Sequence, residues 1–319
     1  MTKNNLRIVY MGTPEFAVAS LDALVSGGYH VVGVVTMPDK PAGRGYKIQL
    51  SAVKEYALTH NLPLLQPEKL KDEQFLENLK ALKADLQIVV AFRMLPEVVW
   101  NMAPMGTFNL HGSLLPQYRG AAPINWAIIN GEIETGVTTF FLQHEIDTGD
   151  LILQKKIAIN KVDNAETIHD KLMALGAQTV LETVNRIIEG TAPKMPQPMV
   201  EKLKMAPKIF KETCRINWNS DCEDIYNFVR GLSPYPTAWS ELIGDNMQPL
   251  QIKIFEVTSE KDTHNLPFGT IITDGKKDLK VACSGGFILI KSLQLAGKKR
   301  MNVDEFLRGH KSDALKQLI

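Results

Sequence analysis

The chain is poor in cysteine, in net charge and in long apolar runs, and each shortage narrows what it can be. Only Cys214, Cys222 and Cys283 stand among 319 residues. Their spacing fits no metal-binding pattern, and an odd number leaves one thiol unpaired. Neither a zinc scaffold nor a disulfide framework is expected, and a reducing compartment is. Thirty-six Lys and Arg against 35 Asp and Glu give a net charge of +1, which excludes a chain steered as a whole toward polyanions. No apolar run approaches the roughly 20 residues of a membrane span. Met1-Thr2-Lys3-Asn4-Asn5 leads straight into the strand-like Leu6-Arg7-Ile8-Val9-Tyr10 with no apolar leader core, so the expectation is a cytoplasmic protein. The G-x-G-x-x-G fingerprint is also missing after that strand, where Gly12-Thr13-Pro14 stands instead. That argues against a nicotinamide-dependent dehydrogenase.

What is present is enough for two domains. A chain this long with 45% hydrophobic residues can bury more than one core. Its first half alternates strand and helix signals. Ile8-Val9-Tyr10-Met11 precedes a helix in which Thr13 is expected as N-cap, Pro14 as first helical residue and Gly27-Gly28 as the stop. Val31 to Val35 and Leu86 to Ala91 are further β-branched runs, the second preceded by a helical segment from about Asp72 to Lys83. This βαβ rhythm predicts a doubly wound, mostly parallel sheet with its ligands at the strand carboxyl ends. Val137 to Leu142 and Leu151 to Ile157 are expected to complete it as antiparallel strands, followed by a helix from about Glu166 to Glu189.

The composition then changes. Ala192-Pro193-Lys194-Met195-Pro196-Gln197-Pro198 cannot continue a helix and is the best linker candidate. Beyond it come a short helix around Asp224 to Arg230 and short strands separated by glycine turns, which suggest a small barrel or sandwich. The expected division is a catalytic domain over 1–190, a basic, proline-rich linker over 191–208, and a barrel domain over 209–319.

The chemistry concentrates at Asn109-Leu110-His111-Gly112-Ser113-Leu114-Leu115-Pro116-Gln117-Tyr118-Arg119-Gly120 and at Asp147-Thr148-Gly149-Asp150. Asn109 and His111, two residues apart, share one face of a strand end. Asp147 lies on a polar loop between two apolar runs. An amide, an imidazole and a carboxylate together can polarise a carbonyl, move a proton and orient the base, which suits acyl transfer. Each has a plainer reading alone: Asn109 as a turn cap, His111 as a hydrogen-bonded structural histidine, Asp147 as turn chemistry. Lys40, Arg44 and Lys47 form a glycine-containing basic loop, and Lys202, Lys204, Lys208 and Lys211, followed by Arg215, a second basic cluster. Charge runs of this kind are ordinarily solvated faces.

These motifs resemble the folate-dependent formyltransferase family from end to end. Within it, Pro38-Asp39-Lys40-Pro41-Ala42-Gly43-Arg44-Gly45 and the second domain are similar to the members that act on methionyl-tRNA. The resemblance implies a Rossmann-like formyltransferase core followed by an OB-like barrel. It implies transfer of a formyl group from 10-formyltetrahydrofolate to the α-amine of initiator methionyl-tRNA, with Asn109, His111 and Asp147 catalytic and no metal or membrane involved. By the same resemblance Ser113, Leu114, Leu115 and Pro116, with Phe92, Arg93, Met94 and Leu95, line the folate site. Arg44, Lys40, Lys47, Lys202, Lys204 and Lys208 contact the tRNA, and the protein is a monomer. Phe92-Arg93-Met94 departs from the Tyr-Gly pair that many members carry before Leu-Pro, and Gly112 stands where alanine is frequent. The competing readings are a formyltransferase acting on a small amine such as a sugar nucleotide or glycinamide ribotide, a formyl-folate hydrolase, and a tRNA-binding protein with a decayed site.

Overall fold

Runs of Val, Ile and Leu buried on both faces build the first sheet, the pattern demanded of strands with helices on either side. A computed structural model describes residues 2–42, 47–244, 248–309 and 315–319. In it the chain forms two compact units, Met1–Gly120 with Thr135–Ile157 and His169–Lys204, and Ala121–Glu134 with Ala158–Ile168 and Met205–Ile319.

The first unit opens with β1 (Arg7–Gly12), α1 (Glu15–Ser26) and β2 (His30–Val35). The N-cap of α1 is Pro14, not Thr13: Pro14 holds an extended ψ of 175°, so the first helical turn begins one residue later than expected. The Thr13 hydroxyl does not cap α1 and is buried with no hydrogen-bond partner among the described residues. A short antiparallel hairpin of β3 (Lys40–Ala42) and β4 (Lys47–Gln49) follows. Next come α2 (Ala52–Thr59), β5 (Leu64–Leu65), α3 (Glu73–Ala81), β6 (Leu86–Val90), α4 (Glu97–Trp100), β7 (Thr107–His111) and the two-residue β8 (Arg119–Gly120). Side-chain caps start two of these helices, Ser51 accepting from Lys54 N–H and Asp72 from Phe75 N–H. After α5 (Pro123–Ile129), which belongs to the second unit, the chain adds β9 (Glu134–Phe141), β10 (Leu151–Ala158) and the long α6 (Ala165–Glu189).

The sheet order is β10-β9-β7-β6-β1-β2-β5. Pairs from β7 through β5 are parallel and β9 runs antiparallel to β7, so the mostly parallel sheet expected from the sequence is what forms. β1 carries Ile8, Val9, Tyr10 and Met11, all fully buried. The chain leaves β1 toward β2 on one side and reaches β6 on the other. In sheets of this kind ligands generally bind outside the strand carboxyl ends near such a reversal.

The second unit contains β11 (Met205–Ala206), α7 (Cys222–Leu232), β12 (Ala238–Gly244), β13 (Leu250–Lys261), β14 (Ile271–Thr273), β15 (Leu279–Cys283), β16 (Gly286–Leu295), β17 (Met301–Asn302), α8 (Val303–Arg308) and β18 (Leu315–Leu318). The strands run in the order β14-β15-β16-β13-β12-β18, with antiparallel pairing through the central strands. A bridge between Thr270 and Gln317 brings the two edges together, so the sheet nearly closes into a barrel. Gly269 permits that closure: a Cβ there would lie 2.1 Å from the Leu318 carbonyl oxygen. One face of α7, with Ile225, Val229 and Leu232, fills the core against Ile252, Ile254 and Leu293.

These units do not follow a single cut near residue 190. Ala121–Glu134 and Ala158–Ile168 join the barrel unit because they pack on α7. Ile129 lies against its core, Asn125 Nδ2 donates to the Gly231 carbonyl (2.8 Å) and Arg230 Nη1 donates to the Asp163 carbonyl (2.9 Å). No helix among the described residues is long and apolar enough to cross a membrane.

Candidate active site

Strand alternation on β7 separates its side chains. Phe108 and Leu110 are buried on one face, and Leu110 packs so closely under α6 that a Cβ at Gly176 would meet its methyl at 2.7 Å. Asn109 and His111 take the other face. The strand is wedged between β6, where Val89 pairs with Asn109, and β9, where Phe140 pairs with Asn109 and Thr138 with His111. Asn109 is half-buried, and its carboxamide has no hydrogen-bond partner among the described residues.

His111 is buried, with Nε2 2.8 Å from the Tyr118 carbonyl oxygen. A carbonyl only accepts, so Nε2 carries the proton and Nδ1 keeps the lone pair of the neutral ring. The Tyr118 carbonyl therefore sets the tautomer, where the sequence suggested a carboxylate as the group that orients the base. Tyr118 stands at φ 60° at the end of a segment that folds back over the strand. One buried hydroxyl holds that segment: Thr138 Oγ1 donates to the Ser113 carbonyl (2.6 Å) and accepts from Leu115 N–H (3.2 Å) and Gln154 Nε2 (3.0 Å). Gln154 Nε2 also donates to the Leu115 carbonyl (2.7 Å), and Ser113 Oγ to the Gln117 carbonyl (2.7 Å).

Asp147 adopts φ 56°, in the left-handed region. Its Oδ2 accepts from Gly120 N–H at 3.0 Å, and its Oδ1 has no partner among the described residues. Asp147 and His111 are not hydrogen-bonded to each other. Both are tied to residues 118–120, one through a carbonyl and one through an amide. Gln197 holds the same turn from outside. Its Nε2 donates to the carbonyls of Asp147 (2.8 Å) and Gly149 (3.0 Å), and its Oε1 accepts from Arg119 Nη2 (2.6 Å) and Nε (3.2 Å). Sequence reading passed over Gln197. The available signal was an amide side chain held between Pro196 and Pro198 in a segment otherwise read as linker.

The expected folate residues divide by burial. Ser113 and Leu115 are interior, Leu115 in a small core with Phe140 and Leu151, whereas Leu114 is half-buried. Pro116 is buried after a cis peptide bond. Beyond β6, Leu95 and Phe92 join the core around Val89, and Met94 is 75% exposed. Arg93 turns back to donate to the carbonyls of Glu68 (2.8 Å) and Pro67, and burial pushes its guanidinium below the usual value.

The basic residues are spread more widely. Arg44 lies outside the described residues; Lys40 and Lys47 stand on β3 and β4. Lys202, Lys204 and Lys208 are exposed. Close to Lys208 in sequence is a cluster of cations on aromatic faces. Lys208 lies 5.3 Å from the Phe210 ring, and Lys211 and Arg215 lie 5.9 and 5.4 Å from that of Trp239. A cavity of about 400 Å³ in the second unit, lined by Arg215, Trp218, Phe268 and Gln317 among others, contains none of the candidate catalytic residues.

Comparison with known proteins identifies the family of the chain. Residues 6–184 match the family model described as formyl transferase, and residues 208–311 match formyl transferase, C-terminal domain. The chain is 63% identical over 320 residues to the methionyl-tRNA formyltransferase of Bacteroides thetaiotaomicron, covering 99% of each chain. It is 57% identical over 304 residues to that of Flavobacterium johnsoniae, covering 95% of this chain and 96% of the other. Among solved structures it superposes with TM-score 0.62 on an N-formyltransferase from Helicobacter canadensis in complex with folinic acid and dTDP-3-aminofucose. That pair shares 19% identity, over 93% of this chain and 100% of the other.

Proposed function

The chain belongs to the formyl transferase family, and we propose that it moves a formyl group from 10-formyltetrahydrofolate to the α-amine of methionine on initiator methionyl-tRNA. It does so as a cytoplasmic monomer, with Asn109, His111 and Asp147 as its catalytic residues. The observation that carries the assignment is the pairing on one strand face of an amide without a partner among the described residues and an imidazole whose tautomer is already set.

In the reaction the amine nitrogen bonds to the formyl carbon, the carbon–N10 bond breaks, and a proton passes from the amine to N10. The folate supplies the formyl carbon and the leaving nitrogen. Asn109 donates its amide N–H to the formyl oxygen as that oxygen gathers negative charge, a contribution typically worth about 10²–10³-fold. His111 takes the amine proton at Nδ1, typically worth about 10²–10⁴-fold. Asp147, held at Oδ2 by Gly120 N–H, offers Oδ1 to the attacking amine and steadies the positive charge that builds during attack. The segments 92–95 and 113–116 border the folate, and their backbone is braced by Arg93 and Thr138. Lys40, Arg44, Lys47, Lys202, Lys204 and Lys208 meet the tRNA backbone, and the aromatic faces at Phe210 and Trp239 suit a nucleic-acid surface.

The test is formyl transfer to initiator methionyl-tRNA, elongator methionyl-tRNA and free methionine in parallel, with wild type, Asn109→Ala and His111→Ala. Selective labelling of the initiator by wild type is expected. Each variant should lose at least about 10²-fold in kcat while its circular dichroism and folate binding persist. Wild-type turnover in either variant would refute the catalytic assignment.

A further inference from the structure

We propose that Gln197 is a positioning residue for Asp147, an inference that rests on the catalytic reading of Asp147 above. Asp147 sits at φ 56°, a conformation that a residue with a Cβ holds only where its surroundings enforce it. Those surroundings are a closed ring of hydrogen bonds. Gln197 Nε2 donates to the carbonyls of Asp147 and Gly149, which spans the turn from both ends. Gln197 Oε1 accepts from Arg119, and the next residue, Gly120, donates its N–H to Asp147 Oδ2. The ring runs from the Asp147 main chain through Gln197, Arg119 and Gly120 back to the Asp147 carboxylate. The carboxylate cannot swing away without breaking a link.

Chemistry fixes the orientation of the amide. Two carbonyls need a donor, and a guanidinium needs an acceptor, so only a carboxamide serves both. Pro196 and Pro198 fix φ on either side of Gln197 and deliver the side chain from a stiff backbone.

The segment continues to the other half of the site. Gln117 Nε2 donates to the Lys202 carbonyl (3.0 Å), Lys204 N–H donates to Gln117 Oε1 (2.7 Å), and Tyr118 N–H donates to the Lys204 carbonyl (2.6 Å). Tyr118 is the residue whose carbonyl orients His111. A strap from 197 to 204 thus braces two of the three catalytic side chains, Asp147 through Gln197 and His111 through Tyr118, and its Gln197 end acts on Asp147.

The experiment is a double-mutant cycle with Gln197→Ala, Gln197→Glu, Asp147→Asn and the Gln197→Ala/Asp147→Asn pair. The readouts are kcat, KM for folate and for tRNA, and thermal midpoint. Gln197→Ala should lower kcat by about 10–100-fold and leave each KM within about twofold. Gln197→Glu should lose as much, because it still accepts from Arg119 but has no N–H for the two carbonyls. Since Glu keeps the Arg119 contact, it carries the test if the alanine variant fails to fold. The double variant should be no slower than Asp147→Asn alone. Additive losses, wild-type kcat in Gln197→Glu, or a kcat loss that tracks a fallen thermal midpoint would overturn the inference while leaving Asp147 catalytic. Full activity of Asp147→Asn would overturn the catalytic reading and the inference with it.

Discussion

Replacing Gly149 with alanine tests whether the Asp147 turn is held as tightly as the geometry implies. A Cβ at that position would lie 1.6 Å from the Phe141 carbonyl oxygen, 2.9 Å from its carbonyl carbon and 3.3 Å from a ring atom of Phe140. Non-bonded atoms prefer about 3.5 Å, so the overlap with backbone is about 2 Å and no rotamer relieves it. Phe141 is anchored on β9, where it pairs with Phe108 and its N–H donates to the Asp150 carbonyl (3.0 Å), so the turn must move instead. Overpacking costs about 1–3 kcal/mol, and breaking the Asp150 and Gln197 bonds adds about 1 kcal/mol. A total of roughly 2–4 kcal/mol lowers Tm by about 5–15 °C. A displacement of about 1 Å at Asp147 costs about 10²-fold in kcat. The assay is calorimetric Tm and saturating kcat, with Gly190→Ala as comparison. Gly190 stands at φ 70° with nothing within 4 Å of a Cβ, so its alanine variant should lose about 1–2 kcal/mol and keep wild-type kcat. If Gly149→Ala keeps wild-type kcat, the claim that catalysis needs this turn in place is wrong.

Two further predictions come from other bonds. Thr138→Val removes one donor and two acceptor sites from a buried cluster, leaving the Ser113 carbonyl and Leu115 N–H unsatisfied. It should cost about 2–3 kcal/mol in urea unfolding and raise KM for folate, and a neutral effect on both would contradict the brace. Asp274 accepts from the backbone N–H groups of Lys276, Lys277 and Asp278, which pull its carboxyl down to about 2. A lowered folded value contributes stability above the unfolded value of about 3.9 and loses it as pH falls toward 2. The gap in urea midpoint between wild type and Asp274→Ala should be constant from pH 7 to about 5 and close below about 4. A gap unchanged at pH 3 would show that the backbone cap does not act through ionisation.

The local placement of the proposed catalytic pair was readable in one dimension. Asn109 and His111 share a face because strand side chains alternate, and that period needs no tertiary information. The same holds for β-branched runs that became β1, β2 and β6, and for Asp72, which caps α3 as its residue type favours. At Thr13 local preference misled, since the backbone angles of Pro14 started the helix one residue later.

What composition and spacing determined was therefore the class of fold and the strand face shared by Asn109 and His111, the pair proposed to do the chemistry. Only the folded chain decided how those side chains are oriented. The His111 tautomer depends on a carbonyl seven residues away, and the Asp147 turn on an amide from Gln197, 50 residues on in the chain. The barrel unit's claim on Ala121–Glu134 is equally non-local, made by contacts with α7 about 100 residues later, such as Asn125 to Gly231. Periodicity records whether a residue is buried. It holds no record of which distant backbone group satisfies a polar atom, because that partner is chosen by close packing of elements brought together from the whole chain.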